Sequence, residues 1–233
     1  MAVRGPTEQQ RTLIIGRTGS GKSQFGIALL STRNWDEMPW IFIDYKGEDL
    51  WEEIREANPG IKSIRPTDNV PTKPGLYHMR PLPKVDDANV EAFLWKVHKK
   101  GKCGLFVDEG YALPQKDAFD VLLTQGRTLY IPIICLYQRP VWMSRFAVAQ
   151  ADFVAVFAQM DERDLKTSAQ FVKPAKGENG EIISVFSELP PYYCLWYDVG
   201  RGSSTVLKPA PDRQTIIDTF TRRLKPTRKR ALI

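Results

Sequence analysis

Gly16-Arg17-Thr18-Gly19-Ser20-Gly21-Lys22-Ser23 satisfies the pattern G-x-x-x-x-G-K-[ST], and it sets the terms for the rest of the chain. Residues 11–15, Arg-Thr-Leu-Ile-Ile, read as a short buried strand just before it. Residues 24–30 read as the start of a helix, with apolar Phe25, Ile27, Ala28, Leu29 and Leu30. Strand, glycine loop and helix, in that order, distinguish a phosphate cradle from an ordinary glycine turn. Glycines let the backbone curl until its N–H groups point inward around phosphate oxygens. The helix that follows turns its positive end toward the same anion. Gly16, Arg17, Thr18, Gly19, Ser20, Gly21, Lys22, Ser23 and Gln24 are therefore the expected nucleotide-binding residues. Lys22 is expected to bridge the β- and γ-phosphates, and the Ser23 hydroxyl to hold Mg²⁺.

A P-loop needs a second element, an apolar strand that ends in acids. Cys103-Gly104-Leu105-Phe106-Val107-Asp108-Glu109 supplies it. Asp108 is expected to hold Mg²⁺, and Glu109 to orient and deprotonate an attacking water. Simple nucleotide switches and many small-molecule kinases do not place a glutamate there. A third apolar strand, residues 131–137, ends in Gln138-Arg139-Pro140. Gln138 is positioned to sense a γ-phosphate.

The other elements fit an α/β chain. Strands are expected at 39–44, 61–65, 76–80 and 151–158, and helices at 50–57, 86–100, 118–129, from about 161, and at 213–224. Strands at 182–186 and 192–199 are expected to form a late antiparallel edge. Three segments follow: a polar lead-in over 1–10, an ATPase domain over 11–210, and a terminal helix with a basic tail over 211–233.

At 233 residues the chain can bury a core without covalent staples. No apolar run approaches the roughly 18 residues of a membrane span, and the N-terminus shows no signal core. Cys103, Cys135 and Cys194 sit in apolar runs and read as small core residues. His78 and His98 lack neighbours at metal-ligand spacing. The six basic residues Arg222, Arg223, Lys225, Arg228, Lys229 and Arg230 equal the whole net charge of +6. The tail that carries them can meet DNA, an acidic partner or a membrane surface.

Five features together resemble the FtsK/HerA superfamily of DNA-pumping ATPases, and within it the genome-packaging ATPases of tailless, membrane-containing double-stranded DNA viruses. They are the P-loop, Ile43-Asp44-Tyr45-Lys46-Gly47-Glu48, Phe106-Val107-Asp108-Glu109, Gly126-Arg127, and Leu136-Tyr137-Gln138-Arg139-Pro140. The resemblance spans about residues 11–165. It implies a RecA-like core in which the Gln138 strand lies between the P-loop strand and the Asp108-Glu109 strand. It also implies a homo-oligomeric, hexameric ring with ATP at subunit interfaces, and Arg127 as a finger reaching into a neighbour's site, with Arg139 as its rival. Cellular members carry extra domains, so a chain of this size fits a minimal motor docked on a capsid vertex or viral membrane proteins. It would work in the host cytoplasm or on the virion. Double-stranded DNA, gripped by its phosphates without regard to sequence, is the implied substrate, with Lys116, Lys173 and Lys176 as candidate contacts. The rival readings are a nucleotide-governed assembly protein and a small-molecule kinase. A guanine-specific switch is disfavoured because the chain has no Asn-Lys-x-Asp stretch.

Overall fold

The computed structural model describes residues 4–114, 117–173 and 186–224. Nine strands form one sheet: β1 (Arg11–Ile15), β2 (Pro39–Asp44), β3 (Lys62–Ile64), β4 (Gly75–Met79), β5 (Gly104–Asp108), β6 (Ile133–Tyr137), β7 (Phe153–Phe157), β8 (Cys194–Asp198) and β9 (Ser203–Leu207). Their order is β3-β4-β2-β5-β6-β1-β7-β8-β9. The first seven positions are parallel, and β8 and β9 join antiparallel. β6 lies between β1 and β5, as the resemblance implied.

The central strands are buried along their whole length. Continuous apolar runs such as Ile133-Ile134-Cys135-Leu136-Tyr137 suit a parallel sheet covered on both faces. Alternation then divides the core in two. Leu13 and Ile15 face α3 (Asp87–Lys100), α4 (Asp117–Gln125), α5 (Arg145–Gln150) and α6 (Glu162–Ala169). Ile14 faces α1 (Lys22–Leu30), α2 (Asp49–Ala57) and α7 (Arg213–Leu224). On this second face Phe42 stacks against Trp51 and Phe106, each at 4.3 Å between ring centres. Each such pair contributes about 0.5–1.5 kcal/mol beyond its burial. Phe220 of α7 packs on Trp35 and Trp51, so the terminal helix is part of this layer.

Several details differ from the sequence reading. The helix expected over 118–129 ends at Gln125; Gly126 N–H makes the last helical bond, to Leu122 O, and beyond it Leu129 and Ile131 N–H both close turns on Gly126 O. Gly126-Arg127 therefore sits in a turn and not on a helix. The antiparallel edge exists, but β8 pairs with β9, a strand whose polar Ser203-Ser204-Thr205 start gave no apolar signal. The short α5 also went unforeseen. Parts of the polar lead-in are anchored: Pro6 is buried, while Gly5, Thr7 and Glu8 are exposed. The Arg4 carbonyl accepts from Trp196 Nε1, and Gln10 is buried. Lys116, Lys176, most of the strand expected at 182–186, and Lys225 to Arg230 of the basic tail lie outside the described residues. Phe186 is described and is fully buried. Among the described residues no helix is long and apolar enough to cross a membrane.

Candidate functional site

Parallel strands deliver their C-terminal ends to one edge of the sheet, where ligands of such sheets bind. Ile15 pairs with Tyr137, and Asp44 pairs with Asp108. The P-loop, Glu109, Gln138 and the 44–48 loop therefore converge there. The Gly16 N–H bonds Tyr137 O, which ties the start of the loop to β6. A β-carbon at Gly16 would lie 2.5 Å from Ser20 Oγ and 2.9 Å from Phe157 Cβ, so only glycine fits. Gly21, at φ +90°, is the N-cap of α1, and no side chain caps that end. The first-turn N–H groups, those of Lys22, Ser23 and Gln24, thus have no intrahelical acceptor and remain open to an anion. Ser20 Oγ is buried with no protein partner.

Lys22 is buried at the foot of this cradle, with Nζ 3.9 Å from Glu109 Oε1. Glu109 is itself buried and holds φ at +69°, a left-handed conformation that is costly for a residue with a β-carbon. Strain of this kind collects at functional positions. Gln138 Nε2 donates to Glu109 Oε1 at 2.8 Å, while Glu109 Oε2 has no protein partner. Asp108 is fully buried, and neither of its carboxylate oxygens has a partner. Burial pushes its carboxyl up to about 7. Lys22 and Lys46 act against that shift, and Glu109 and Glu48 add to it. A buried carboxylate with both oxygens unpartnered and a serine hydroxyl lining the cleft are hard oxygen donors of the kind Mg²⁺ takes, so Asp108 and Ser23 fit that group by chemistry.

The loop after β2 closes the other side of the cleft. Asp44 is buried and accepts from Gly47 N–H, Glu48 N–H and His78 Nε2. Burial alone would raise its carboxyl, but the hydrogen bonds from His78 and Gly47 hold it below its ordinary value. Asp44 thereby fixes Lys46 and Glu48, an ion pair at 3.7 Å, against the P-loop. Sequence reasoning had quoted both residues without giving them a task. The cleft, about 240 Å³, is lined by Arg17, Thr18, Gly19, Gly21, Lys22, Ser23, Gln24, Lys46, Glu48 and Tyr192. Tyr192 was expected only as the start of a strand; it comes about 170 residues after the motif, and it sits in the turn before β8.

Arg127 does not join this site. Its Nη1 lies 3.9 Å from Asp152 Oδ1, and the same Asp152 accepts from the Arg11 backbone N–H at the start of β1. That is the opposite edge of the sheet, about 15 Å away along a five-residue strand. Arg127 is more than half exposed. Arg139 is near the cleft, but Asp164 and Asp161 hold it at 2.8 and 2.9 Å. Lys173 is exposed.

No family model matches the chain. The DNA packaging ATPase P9 of Enterobacteria phage PRD1 is 39% identical over 223 residues, covering 94% of this chain and 96% of the relative. Among solved structures, the genome packaging NTPase B204 of Sulfolobus turreted icosahedral virus 2, in complex with ATP-gammaS, superposes with a TM-score of 0.65. That match has 18% identity and covers 88% of this chain and all of that one. VirB4 of Thermoanaerobacter pseudethanolicus gives a TM-score of 0.66 at 12% identity, covering 90% of this chain and 92% of that one.

Proposed function

The chain belongs to the family of the DNA packaging ATPase of phage PRD1, and from that premise we propose that it hydrolyses ATP to drive double-stranded DNA into a viral capsid, as one subunit of a hexameric ring. The observation that carries this reading is the C-terminal edge of the sheet. There a buried lysine and two buried carboxylates face an uncapped helix end, and three carboxylate oxygens lack any protein partner.

The triphosphate would lie along the N–H groups of the loop, with Lys22 against its β- and γ-oxygens. Ser23 and Asp108 would hold Mg²⁺, which when bound neutralises charge on the phosphate oxygens. Glu109, next to them, accepts a proton from the attacking water. The Gln138 amide already grips Glu109. Its natural alternative partner is a γ-phosphate oxygen, and that exchange would couple nucleotide state to movement. Lys22, Glu109, Gln138 and a neighbour's Arg127 make up the proposed catalytic set.

Two features support an assembly. Arg127 lies at the sheet edge opposite its own P-loop, so a catalytic role for it requires a neighbouring subunit. Tyr111 and Trp142 pack together at 4.9 Å and, with Val141 and Phe146, leave an exposed apolar surface beside the site. Patches of that kind mark protein contacts. The ring would act in the host cytoplasm or on the virion.

The test is steady-state ATP hydrolysis with and without double-stranded DNA across a salt series. The reading expects stimulation by DNA of any sequence, fading steeply as salt rises because the grip is on phosphates. Hydrolysis indifferent to DNA would overturn the motor and leave a nucleotide-governed assembly protein.

A further inference from the structure

A second cavity adjoins the phosphate cleft. It measures about 180 Å³ and is lined by Gly21, Gln24, Tyr192, Pro209 and Ala210. The two cavities share Gly21, Gln24 and Tyr192 in their linings, so they adjoin at the first turn of α1. The position of the second is informative. Glu109 and Gln138 follow β5 and β6, on one side of β1. Tyr192 comes just before β8, and Pro209 and Ala210 come just after β9, on the other side. A nucleotide with its γ-phosphate at Glu109 therefore points its other end into this second cavity.

Tyr192 is an unusual residue to find there. It holds φ at +68° in a turn closed by Tyr193 N–H on Pro190 O. Glycine is the ordinary occupant of such a position, and a bulky aromatic there is strained. Nothing in the packing of the core demands it, since the side chain is 58% exposed. The ring stands against the P-loop, where a β-carbon on Gly21 would meet its Cδ1 at 3.2 Å. Opposite lie the pyrrolidine of Pro209 and the methyl of Ala210. Apart from the Tyr192 phenol, the one polar side chain in the lining is Gln24, whose amide already donates to Pro211 O at 2.6 Å.

We propose that Tyr192, Pro209 and Ala210 form the nucleobase pocket, and that it holds a purine by stacking on Tyr192 without reading the hydrogen-bonding edge of the base. The inference rests on the P-loop being a nucleotide site. It specifies what that site selects: a purine nucleoside triphosphate, with adenine and guanine accepted alike. Stacking depends on the π-face and tolerates any base of sufficient area. The strained backbone of Tyr192 is kept for the ring it presents.

The experiment is a displacement titration on the full chain with ATP, GTP and inorganic triphosphate, comparing the natural protein with Tyr192→Ala, Tyr192→Phe and Tyr192→Gly. Removing the ring should weaken ATP and GTP about tenfold, within the range for base–aromatic stacking, and leave inorganic triphosphate unchanged. Tyr192→Phe should bind like the natural protein, and ATP and GTP should differ by no more than about threefold. Tyr192→Gly adds a check that a folding defect cannot mimic. It relieves the left-handed strain, so it should melt no lower than the natural protein and still bind ATP weakly. The proposal is overturned if either ring deletion leaves ATP affinity intact, if triphosphate weakens as much as ATP, or if ATP is preferred over GTP a hundredfold. Lys22→Ala separates the two levels. If it leaves affinity for both ATP and triphosphate intact, the nucleotide site itself is wrong. If it abolishes both while Tyr192→Ala changes nothing, only the base pocket is wrong.

Discussion

At its N-terminal end β1 buries Arg11, and every obvious demand of that charge is met. Its Nε and backbone N–H bond Asp152 Oδ2 at 3.1 and 2.9 Å, and its Nη1 bonds Leu123 O at 2.6 Å. Just past its C-terminal end the chain buries Lys22, Asp108 and Glu109, just as deeply and with far fewer partners. Charged groups of both signs form a closed account at one end and an open one at the other. Leaving both oxygens of a buried carboxylate unpartnered, as at Asp108, costs free energy that a group from outside the chain can recover. Burial of charge does not by itself mark a site, whereas burial of charge without partners does.

Arg127 breaks the symmetry of that contrast most sharply, because it stands exposed at the satisfied end. If it is a neighbour's finger, the N-terminal edge is half of a second site. Arg127→Ala should then lower ATP turnover about a thousandfold, near the low end for such fingers, with the melting temperature unchanged. Mixing it with Glu109→Gln subunits should restore part of the rate, because each variant supplies what the other lacks. Turnover within twofold of normal, or no recovery on mixing, would make that edge purely structural.

Arg11→Ala tests the closed account. It strands Asp152 beside a backbone N–H, with only Arg127 nearby. Breaking a buried pair in this way costs about 3–5 kcal/mol. At the lower figure, Tm should fall by roughly 6–12 °C, given about 2–4 °C per kcal/mol for a chain of this size. The ATP affinity of the folded protein should be untouched. A loss of affinity at unchanged Tm would contradict the division between the two ends.

The open account has the opposite signature in stability. Asp108 is raised in the folded state from 3.8 to about 7. Its ionised form is therefore penalised only when folded. The penalty is absent below about pH 4, grows as pH rises through the window between the two values, and is complete above about 7. Asp108→Asn should raise the melting temperature of the nucleotide-free protein at pH 8 by at least about 2–4 °C, the equivalent of 1 kcal/mol. The gain should shrink toward pH 4, while hydrolysis is lost. A destabilised variant at pH 8 would mean that the carboxylate is paired after all.

Much of this was legible in the sequence because the chemistry is local. Gly16 to Ser23 lie within one turn of chain, and Asp108-Glu109 ends an unbroken apolar strand, so motif and element announce each other. The placement of the Gln138 strand came with the family resemblance, and the sheet order agrees with it. What escaped was either long-range or shaped by backbone geometry. Tyr192 reaches Gly21 only because β8 folds back antiparallel beside β7. The left-handed Glu109 has no side-chain signature. β9 is held by its backbone ladder to β8, and its polar serines hide that from any apolar pattern. The helix expected to carry Arg127 stops early, giving way to turns that close on Gly126 O.

The most direct measurement pairs ATP binding with single-turnover hydrolysis in Glu109→Gln, which keeps the shape of the side chain and removes its charge. Affinity within a fewfold of normal, with the chemical step slowed about a hundredfold or more, is the expected result for a lost general base. Full-rate hydrolysis in that variant would mean that the unpartnered carboxylate is not what the site was built to use.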